Sequence, residues 1–231
     1  MKNAIITGAT KGIGRALVER FAQAGHNVAF CARTAADVSA FAEDLRTRYG
    51  VEVIAQAVDM SEKKAVKDFA QSVLKTWQQV DVLVNNAGVF IPCELTDSST
   101  EAAFESMLDL NLLSAYYLTQ QVLPSMLKRG SGHVFNMCSI ASIMPYGAYA
   151  VSKHALLGFS RVLREEVKEK GVRVTAVMPG ATYTASWSGT ELPEERFMKA
   201  EDIAQSVWDI YQLSPQTVVE ELVLRPQLGD I

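Results

Sequence analysis

Short apolar runs alternate with longer amphipathic segments from one end of the chain to the other. The short runs are rich in β-branched side chains and show little polar alternation, which is typical of strands buried on both faces. They predict seven strands, at residues 3–7, 27–31, 51–58, 81–85, 133–137, 172–177 and 220–224.

The segments between these strands carry apolar residues at helical spacing, as in residues 13–25 and 35–50. The second of these ends at Gly50, where a helix C-cap is expected. Strict strand–helix alternation predicts right-handed crossovers and a parallel sheet covered by helices on both faces. We therefore predict an α/β fold, a Rossmann-type doubly wound seven-stranded sheet in three αβα layers. A ligand is expected at the carboxyl ends of its strands.

The chain has 231 residues, of which 48% are hydrophobic, and it shows no internal repeat or linker. This predicts a single domain over residues 1–231 with one sizeable core. The formal net charge of -4, without a basic face, argues against nucleic acid as a partner.

The three cysteines, Cys31, Cys93 and Cys138, are widely separated and lack CxxC spacing. They predict reduced thiols rather than disulfides or a metal site. Because no signal peptide precedes the strand at Asn3 and no apolar stretch reaches ~18 residues, we expect a cytoplasmic protein without a membrane partner.

A glycine-rich segment, TGATKGIG at residues 7–14, links the first strand to the first helix. Gly8 would permit a tight turn, Gly12 a close approach of the backbone to a pyrophosphate, and Gly14 the packing of helix on sheet. The helix N-terminus would attract the anion. The segment predicts a dinucleotide site.

The residues at the end of the second strand indicate whether the cofactor is NAD(H) or NADP(H). An NAD site usually has a carboxylate there, but this chain has Ala32 and Arg33, with no acid before Asp37. Arg33 and Lys11 could both bind a 2'-phosphate. We predict NADP(H) in preference to NAD(H).

Tyr149 and Lys153 lie four residues apart at the start of a predicted helix and share one of its faces. A cation close to a phenol favours its ionised form, so the pair could donate and accept a proton near neutral pH.

With these residues the chain resembles the short-chain dehydrogenase/reductase family, through TGATKGIG at 7–14, NNAG at 85–88, Asn111, Ser139, YAVSK at 149–153 and PGATYT at 179–184. The motifs occur in the family's order and span most of the chain.

The resemblance implies a catalytic set. Tyr149 would exchange a proton with the substrate oxygen, and Lys153 would favour the tyrosinate and hold the nicotinamide ribose. Ser139 would hydrogen-bond the substrate oxygen. Asn111 would anchor a water that leads from Lys153 to bulk solvent.

The resemblance also implies a set of cofactor contacts, in which Asp59 meets the adenine, Asn85 and Gly88 line the adenosine side, and residues 179–184 hold the nicotinamide and pyrophosphate. The full predicted set is Gly8, Thr10, Lys11, Gly12, Ile13, Gly14, Arg33, Asp59, Asn85, Ala87, Gly88, Tyr149, Lys153, Pro179, Gly180, Thr182 and Thr184.

The chain departs from the family pattern between serine and tyrosine. Ser139 precedes Tyr149 by ten positions, whereas about thirteen is usual, and Ser142 precedes it by only seven. Ser139 remains the better candidate. Residues 140–148 then form either a tighter loop than usual or a loop from which residues are missing.

A short substrate loop is predicted at about 185–200, shorter than the mobile lid of many family members. The residues placed to line a small apolar substrate pocket are Phe90, Ile140, Met144, Tyr183 and Trp187. Helical stretches 101–128 and 149–169 are apolar over more surface than the sheet can bury, which predicts a homodimer or homotetramer.

Three functions remain open. The first is an NADP(H)-dependent carbonyl reductase or alcohol dehydrogenase for a small organic molecule. The second is a 3-oxoacyl-(acyl-carrier-protein) reductase, for which Lys128 and Arg129 could supply carrier contacts. The third is a redox sensor that binds NADP(H) without turnover.

Overall fold

The computed structural model describes residues 1–184, 187 and 189–231. Its single sheet has seven parallel strands, in the order β3-β2-β1-β4-β5-β6-β7. The strands are β1 Asn3–Thr7, β2 Asn27–Ala32, β3 Val53–Ala57, β4 Val82–Asn85, β5 Gly132–Met137, β6 Val172–Pro179 and β7 Glu221–Leu224.

Seven α-helices in the described residues connect or flank these strands. They are α1 Gly12–Gln23, α2 Ala35–Tyr49, α3 Lys63–Thr76, α4 Glu101–Leu108, α5 Ser114–Arg129, α6 Gly147–Val167 and α7 Ala200–Gln212. Helix α2 ends at Gly50, whose φ of 64° makes it the predicted left-handed C-cap.

Alternate residues of each strand face opposite layers. In β1, Ile6 packs with Phe21 of α1 and Ile203 of α7 on one face, while Ile5 packs with Phe69 of α3 and Leu118 of α5 on the other. Both faces of the sheet are therefore covered, which explains why the strands lack polar alternation.

The order of the strands reverses between β1 and β4, which are paired with each other. In a doubly wound sheet, a crevice opens at such a reversal, outside the carboxyl ends of the strands. The glycine-rich segment follows β1 and the NNAG segment follows β4, so the fold brings both to this crevice.

Several element boundaries differ from the sequence prediction, most of them by one or two residues. The strand predicted at 51–58 is limited to Val53–Ala57, and the helix predicted from residue 149 begins at Gly147, whose φ is 58°. The stretch predicted as one helix over 101–128 is interrupted by a π-helical turn, Asp109–Leu113.

Candidate active site

The glycine-rich segment forms one wall of a cleft of about 440 Å³ at the strand reversal. Gly8 and Gly12 both have positive φ, at 64° and 52°, a conformation that other residues adopt only with strain. A Cβ on Gly14 would lie 2.2 Å from the carbonyl oxygen of Gly8, so the helix can approach the loop only with glycine there. Helix α1 begins at Gly12 and has no acid in its first turn, which leaves its N-terminus suited to an anion.

The two asparagines of the NNAG segment point in different directions. Asn86 lines the cleft, and its side-chain amide donates to the carbonyl oxygens of Thr7 (2.8 Å) and Gly8 (3.1 Å). Asn85 is 4% exposed and donates to Thr119 and Asn136 in the interior. The structure thus places the side chain of Asn86, rather than that of Asn85, beside the glycine loop.

Positive charge exceeds negative charge along the cleft. Lys11, Arg33 and Lys153 line it, and Asp37 is the carboxylate among its described lining residues. Lys11 and Asp37 lie 3.9 Å apart as an exposed ion pair, which is worth little by itself. The local excess of cations, in a chain of net charge -4, favours an anionic ligand.

Asp59 follows β3 but lies outside the residues that line the cleft, although Val58 and Met60 on either side of it do line it. Its carboxylate accepts from the backbone N–H (3.0 Å) and the hydroxyl (2.7 Å) of Ser61. These bonds, aided by the charge of Arg33, hold the pKa of Asp59 below its usual value.

Lys153 and Tyr149 both line the cleft from helix α6. The Lys153 side chain is buried, and its ammonium nitrogen lies 5.8 Å from the centroid of the Tyr149 ring. Phe90 meets that ring edge-on, with ring centroids 5.1 Å apart. The Tyr149 ring therefore has a cation and an aromatic ring close to it, and Phe90 also lines the cleft.

Asn111 lies in the π-helical turn and is 1% exposed. Its amide accepts from the backbone N–H of Val89 (2.7 Å) and donates to the carbonyl of Val89 (3.0 Å) and to Ser152 Oγ (2.9 Å). The Ser152 hydroxyl in turn donates to the carbonyl oxygen of Tyr149 (2.8 Å). Asn111 is thereby connected through Ser152 to the backbone of Tyr149, and π-helical turns of this kind are frequent at functional sites.

Ser139 is half-buried and follows Met137 and Cys138, both of which line the cleft. Its own side chain is outside the lining, and its Oγ accepts from the backbone N–H of Ala141 (3.1 Å). A single 3₁₀ turn, Ile140–Ser142, begins the loop that leads from Ser139 to helix α6. The structure thus connects Ser139 to Tyr149 within the short spacing.

The segment after β6 closes the other side of the cleft. Pro179 and Thr184 line it, and the Thr184 methyl group would lie 2.9 Å from a Cβ added at Gly12. Gly180 and Thr182 are outside the described lining; the N–H of Gly180 donates to Leu224 (2.8 Å), and the Thr182 hydroxyl donates to Gly180 (3.1 Å).

The predicted substrate-pocket residues do not all lie together. Tyr183 and Trp187 pack against Phe197, with ring centroids 5.7 and 5.0 Å apart. Ile140 is buried and Met144 is half-buried in the loop before α6. Residues 185, 186 and 188 of the predicted substrate loop lie outside the described residues.

Most predicted cofactor contacts line the cleft, and the lining also contains residues that were not predicted. The predicted ones are Gly8, Thr10, Lys11, Gly12, Ile13, Gly14, Arg33, Ala87, Gly88, Tyr149, Lys153, Pro179 and Thr184. The additional ones are Ala32, Thr34, Asp37, Val58, Met60, Asn86, Val89, Leu110, Met137 and Cys138. A larger cavity of about 670 Å³, between Arg196 and Leu228, contains none of the predicted catalytic residues.

Cys138 is the one cysteine in the cleft lining as described. Burial raises its pKa to about 11, so it is a protonated thiol at neutral pH and a poor nucleophile. Cys31 is also buried, with a pKa raised to about 12 for the same reason.

The fold and the cleft define a nucleotide-binding protein of the doubly wound α/β class. The chain matches the short chain dehydrogenase family over residues 2–194. This protein belongs to that family, as its motifs predicted.

Similar proteins cover nearly the whole chain. Sepiapterin reductase of Chlorobaculum tepidum is 34% identical, in a match that covers 98% of this chain and 97% of that protein. The structure of an alcohol dehydrogenase from the archaeon Thermococcus sibiricus, complexed with 5-hydroxy-NADP, is 33% identical, with a TM-score of 0.92 and coverage of 100% and 99% of the two chains. L-sorbose reductase from Gluconobacter frateurii, complexed with NADPH and L-sorbose, is 27% identical, with a TM-score of 0.89 and coverage of 96% and 94%.

None of the helices in the described part of the chain has the length and apolar character needed to span a membrane.

Proposed function

We propose that this protein is an NADP(H)-dependent oxidoreductase that transfers hydride between the nicotinamide and a carbonyl or secondary alcohol of a small organic substrate. In this proposal Tyr149 is the acid/base. The observation that carries it is the buried ammonium of Lys153 beside Tyr149, in the same cleft as the glycine loop.

The residues present fit NADP(H). The left-handed glycine loop and the N-terminus of α1 suit a pyrophosphate, and Arg33 is exposed at the end of β2 with no ion-pair partner among the described residues. The complexes of the Thermococcus sibiricus and Gluconobacter frateurii proteins, with 5-hydroxy-NADP and NADPH respectively, support the same choice. The cofactor, when bound, supplies the hydride.

In the direction of reduction, the Tyr149 hydroxyl donates its proton to the substrate oxygen as negative charge develops there. The Lys153 ammonium stabilises the tyrosinate that remains. The Ser139 hydroxyl donates a second hydrogen bond to the same oxygen, which lowers the barrier electrostatically. Lys153 then passes a proton to the tyrosinate and regains one from solvent through a water that Asn111 anchors, and alcohol oxidation reverses these transfers.

The substrate is proposed to be small and partly apolar. Phe90 is 54% exposed in the cleft and packs against Tyr149, so it would contact whatever reaches the tyrosine hydroxyl. The substrate loop at about 185–200, with Tyr183 and Trp187 against Phe197, would form the outer edge of this pocket.

The position of Arg129 weakens the acyl-carrier alternative. Arg129 ends helix α5 and donates to the carbonyl oxygens of Val80 (2.7 Å) and Ser131 (2.9 Å), which precede β4 and β5. It therefore lies at the amino ends of the strands, at the edge of the sheet opposite the cleft. Together with its neighbour Lys128, it is poorly placed to hold a carrier whose thioester enters the cleft.

A panel assay tests the proposed function. Purified protein is mixed with NADPH or NADH and with sepiapterin, L-sorbose, simple ketones and aldehydes, aryl ketones and a 3-oxoacyl thioester, and the loss of reduced-cofactor absorbance is followed. We expect NADPH oxidation with at least one small carbonyl compound, and none with Tyr149→Phe. NADPH binding without oxidation of any panel member would favour the redox-sensor alternative, and turnover of the thioester alone would favour the acyl reductase.

The chain is also proposed to form a homodimer or homotetramer through α5 and α6. Tyr116 of α5 is 41% exposed, and Val151 and Val162 of α6 are 38% and 60% exposed, an apolar surface that the described chain leaves uncovered. Light scattering of the purified protein tests this: a multiple of the 25.3 kDa chain mass supports it, and a monomer contradicts it.

A further inference from the structure

The loop between Ser139 and Tyr149 contains a second serine to which the proposed mechanism gives no role. Ser142 closes the 3₁₀ turn and is 1% exposed. A buried hydroxyl is unfavourable unless it is hydrogen-bonded, and this one is bonded on both sides. Its Oγ accepts from the backbone N–H of Ser139 (3.3 Å) and donates to the backbone carbonyl of Lys153 (2.9 Å).

These two bonds join the backbones of two residues that the proposed reaction needs in fixed relative positions. Ser139 lies in the loop after β5, whereas Lys153 lies in the second turn of helix α6. The connection along the chain passes through an exposed segment that includes Ile143, Tyr146 and Gly147. Ser142 provides a shorter, buried connection between the loop and the helix.

The same turn orients the Ser139 hydroxyl. Its oxygen accepts from the backbone N–H of Ala141, so the hydroxyl proton remains available to a substrate oxygen. Ser142 supports this arrangement because its Oγ accepts a hydrogen bond from the backbone N–H of Ser139, at the start of the turn.

Lys153 is attached to this strand end at two points. Its ammonium donates to the carbonyl oxygen of Met137 (2.9 Å), and its backbone carbonyl accepts from Ser142. Without the Ser142 bond, the direct side-chain hydrogen bond between Lys153 and the end of β5 would be the one that the Lys153 ammonium makes. The ammonium must also serve Tyr149 and the cofactor. The Ser142 bond holds the Lys153 backbone independently of the ammonium.

We propose that Ser142 is a positioning residue, whose hydroxyl holds the Ser139 turn against the backbone of Lys153 so that Ser139 and Tyr149 meet one substrate oxygen. This inference rests on the proposed function. Because small displacements of reacting groups are costly, Ser142→Ala should lower kcat for carbonyl reduction about 10- to 100-fold. NADPH affinity should be unchanged, since Ser142 is outside the cleft lining as described.

The matched control is Ser160→Ala. Ser160 is another buried serine, whose Oγ donates to the carbonyl of Leu156 (2.7 Å) and accepts from the amide of Asn136 (2.8 Å). Ser160→Ala removes hydrogen bonds of the same kind, one of them to the backbone of helix α6. Neither bond involves Ser139 or Lys153. Both variants should lose thermal stability, whereas kcat should fall only in Ser142→Ala, and Ser142→Thr, which keeps the hydroxyl, should recover part of the lost kcat.

The outcomes separate the two proposals. If the wild type is active and Ser142→Ala has the same kcat, the positioning role is overturned. It is also overturned if Ser160→Ala loses as much kcat as Ser142→Ala. Absence of turnover in the wild type is instead a failure of the proposed function. Should Ser142→Ala fail to fold, Ser142→Cys serves in its place, because the thiol is of similar size but hydrogen-bonds weakly; wild-type kcat in that variant overturns the proposal.

Discussion

The ammonium nitrogen of Lys153 lies 2.9 Å from the carbonyl oxygen of Met137, the last residue of β5. Lys153 is 5% exposed, and it forms no ion pair with a carboxylate in the described part of the chain. An ammonium has three donors, so this bond fixes the group while leaving two donors for the cleft. A buried cation without a paired anion lowers the stability of the fold. The position of Lys153 is therefore better explained by a role in the site than by stability.

Replacement of Lys153 by methionine tests this role. The variant keeps the buried stem but removes the charge beside Tyr149, so kcat should fall by about 10²-fold or more. NADPH should also bind more weakly, which a fluorescence titration measures. Lys168→Met, at an exposed residue that pairs with Glu165 on the surface, is the control and should leave both quantities unchanged. Wild-type kcat in Lys153→Met would contradict the assignment.

Gly14→Ala should abolish tight NADPH binding. The added Cβ would lie 2.2 Å from the Gly8 carbonyl oxygen and 2.5 Å from the Asn86 amide, and since one of these atoms is backbone, the loop must shift. Isothermal titration calorimetry with NADPH measures the loss.

Gly158→Ala is the matched control for that variant. Gly158 lies inside helix α6, and a Cβ there meets nothing within 4 Å of the described chain. Gly158 is outside the cleft lining as described, so alanine there should leave NADPH binding intact. Equal NADPH affinity in Gly14→Ala and Gly158→Ala would show that the glycine loop is not the cofactor site.

Arg33→Asp should reverse the preference for NADPH over NADH. A hydrogen bond to a charged group is worth about 1.5–3 kcal/mol, so kcat/KM for NADPH should fall at least about tenfold. The new carboxylate can accept from the ribose hydroxyl of NADH, whose kcat/KM should hold or rise. Lys64→Asp makes the same change of net charge at an exposed site on α3 and should not alter the ratio. An unchanged ratio in Arg33→Asp would refute the cofactor assignment.

The buried His133 should make the fold less stable in mild acid. It is fully buried, with Nε2 2.8 Å from Thr175 Oγ1, and burial, aided by Arg173, holds its pKa well below the ordinary value of 6.5. Below pH 6.5 the unfolded chain binds a proton that the folded chain does not, so stability falls as pH falls, by up to about 1.4 kcal/mol per pH unit.

Thermal unfolding between about pH 7 and pH 5 measures this effect. His133→Gln should show a shallower fall of Tm with decreasing pH than the wild type. The Tm of His133→Gln should still fall somewhat with decreasing pH, because burial also lowers the pKa of His26. Identical slopes for wild type and His133→Gln would contradict the prediction.

The sheet could be predicted from the sequence because its strands are buried on both faces, and a short continuous apolar run such as residues 3–7 is typical of such a strand. The π-helical turn at Asp109–Leu113 could not be predicted, since its residues also suit an ordinary helix. Asn111 within it bonds to Val89, 22 residues away in the chain, a contact that no local pattern reveals.

The motifs located the cleft but not the direction of every side chain. For Asn85 and Asn86, the relevant signal is the alternation of faces along a strand, which places successive residues on opposite sides. Leu83 faces the layer of α3 and α5, and Asn85, two residues later, follows it toward Thr119 of α5. The Ser142 bonds, by contrast, depend on how loop and helix pack, which no local pattern encodes.

Single-turnover reduction of a carbonyl substrate by enzyme with bound NADPH, compared between wild type and Tyr149→Phe, tests the central claim most directly. Tyr149→Phe keeps the ring against Phe90 and loses only the hydroxyl. We predict that the NADPH-loaded variant oxidises its cofactor about 10²- to 10⁴-fold more slowly than the loaded wild type. An equal rate in the two proteins would show that Tyr149 is not the acid/base.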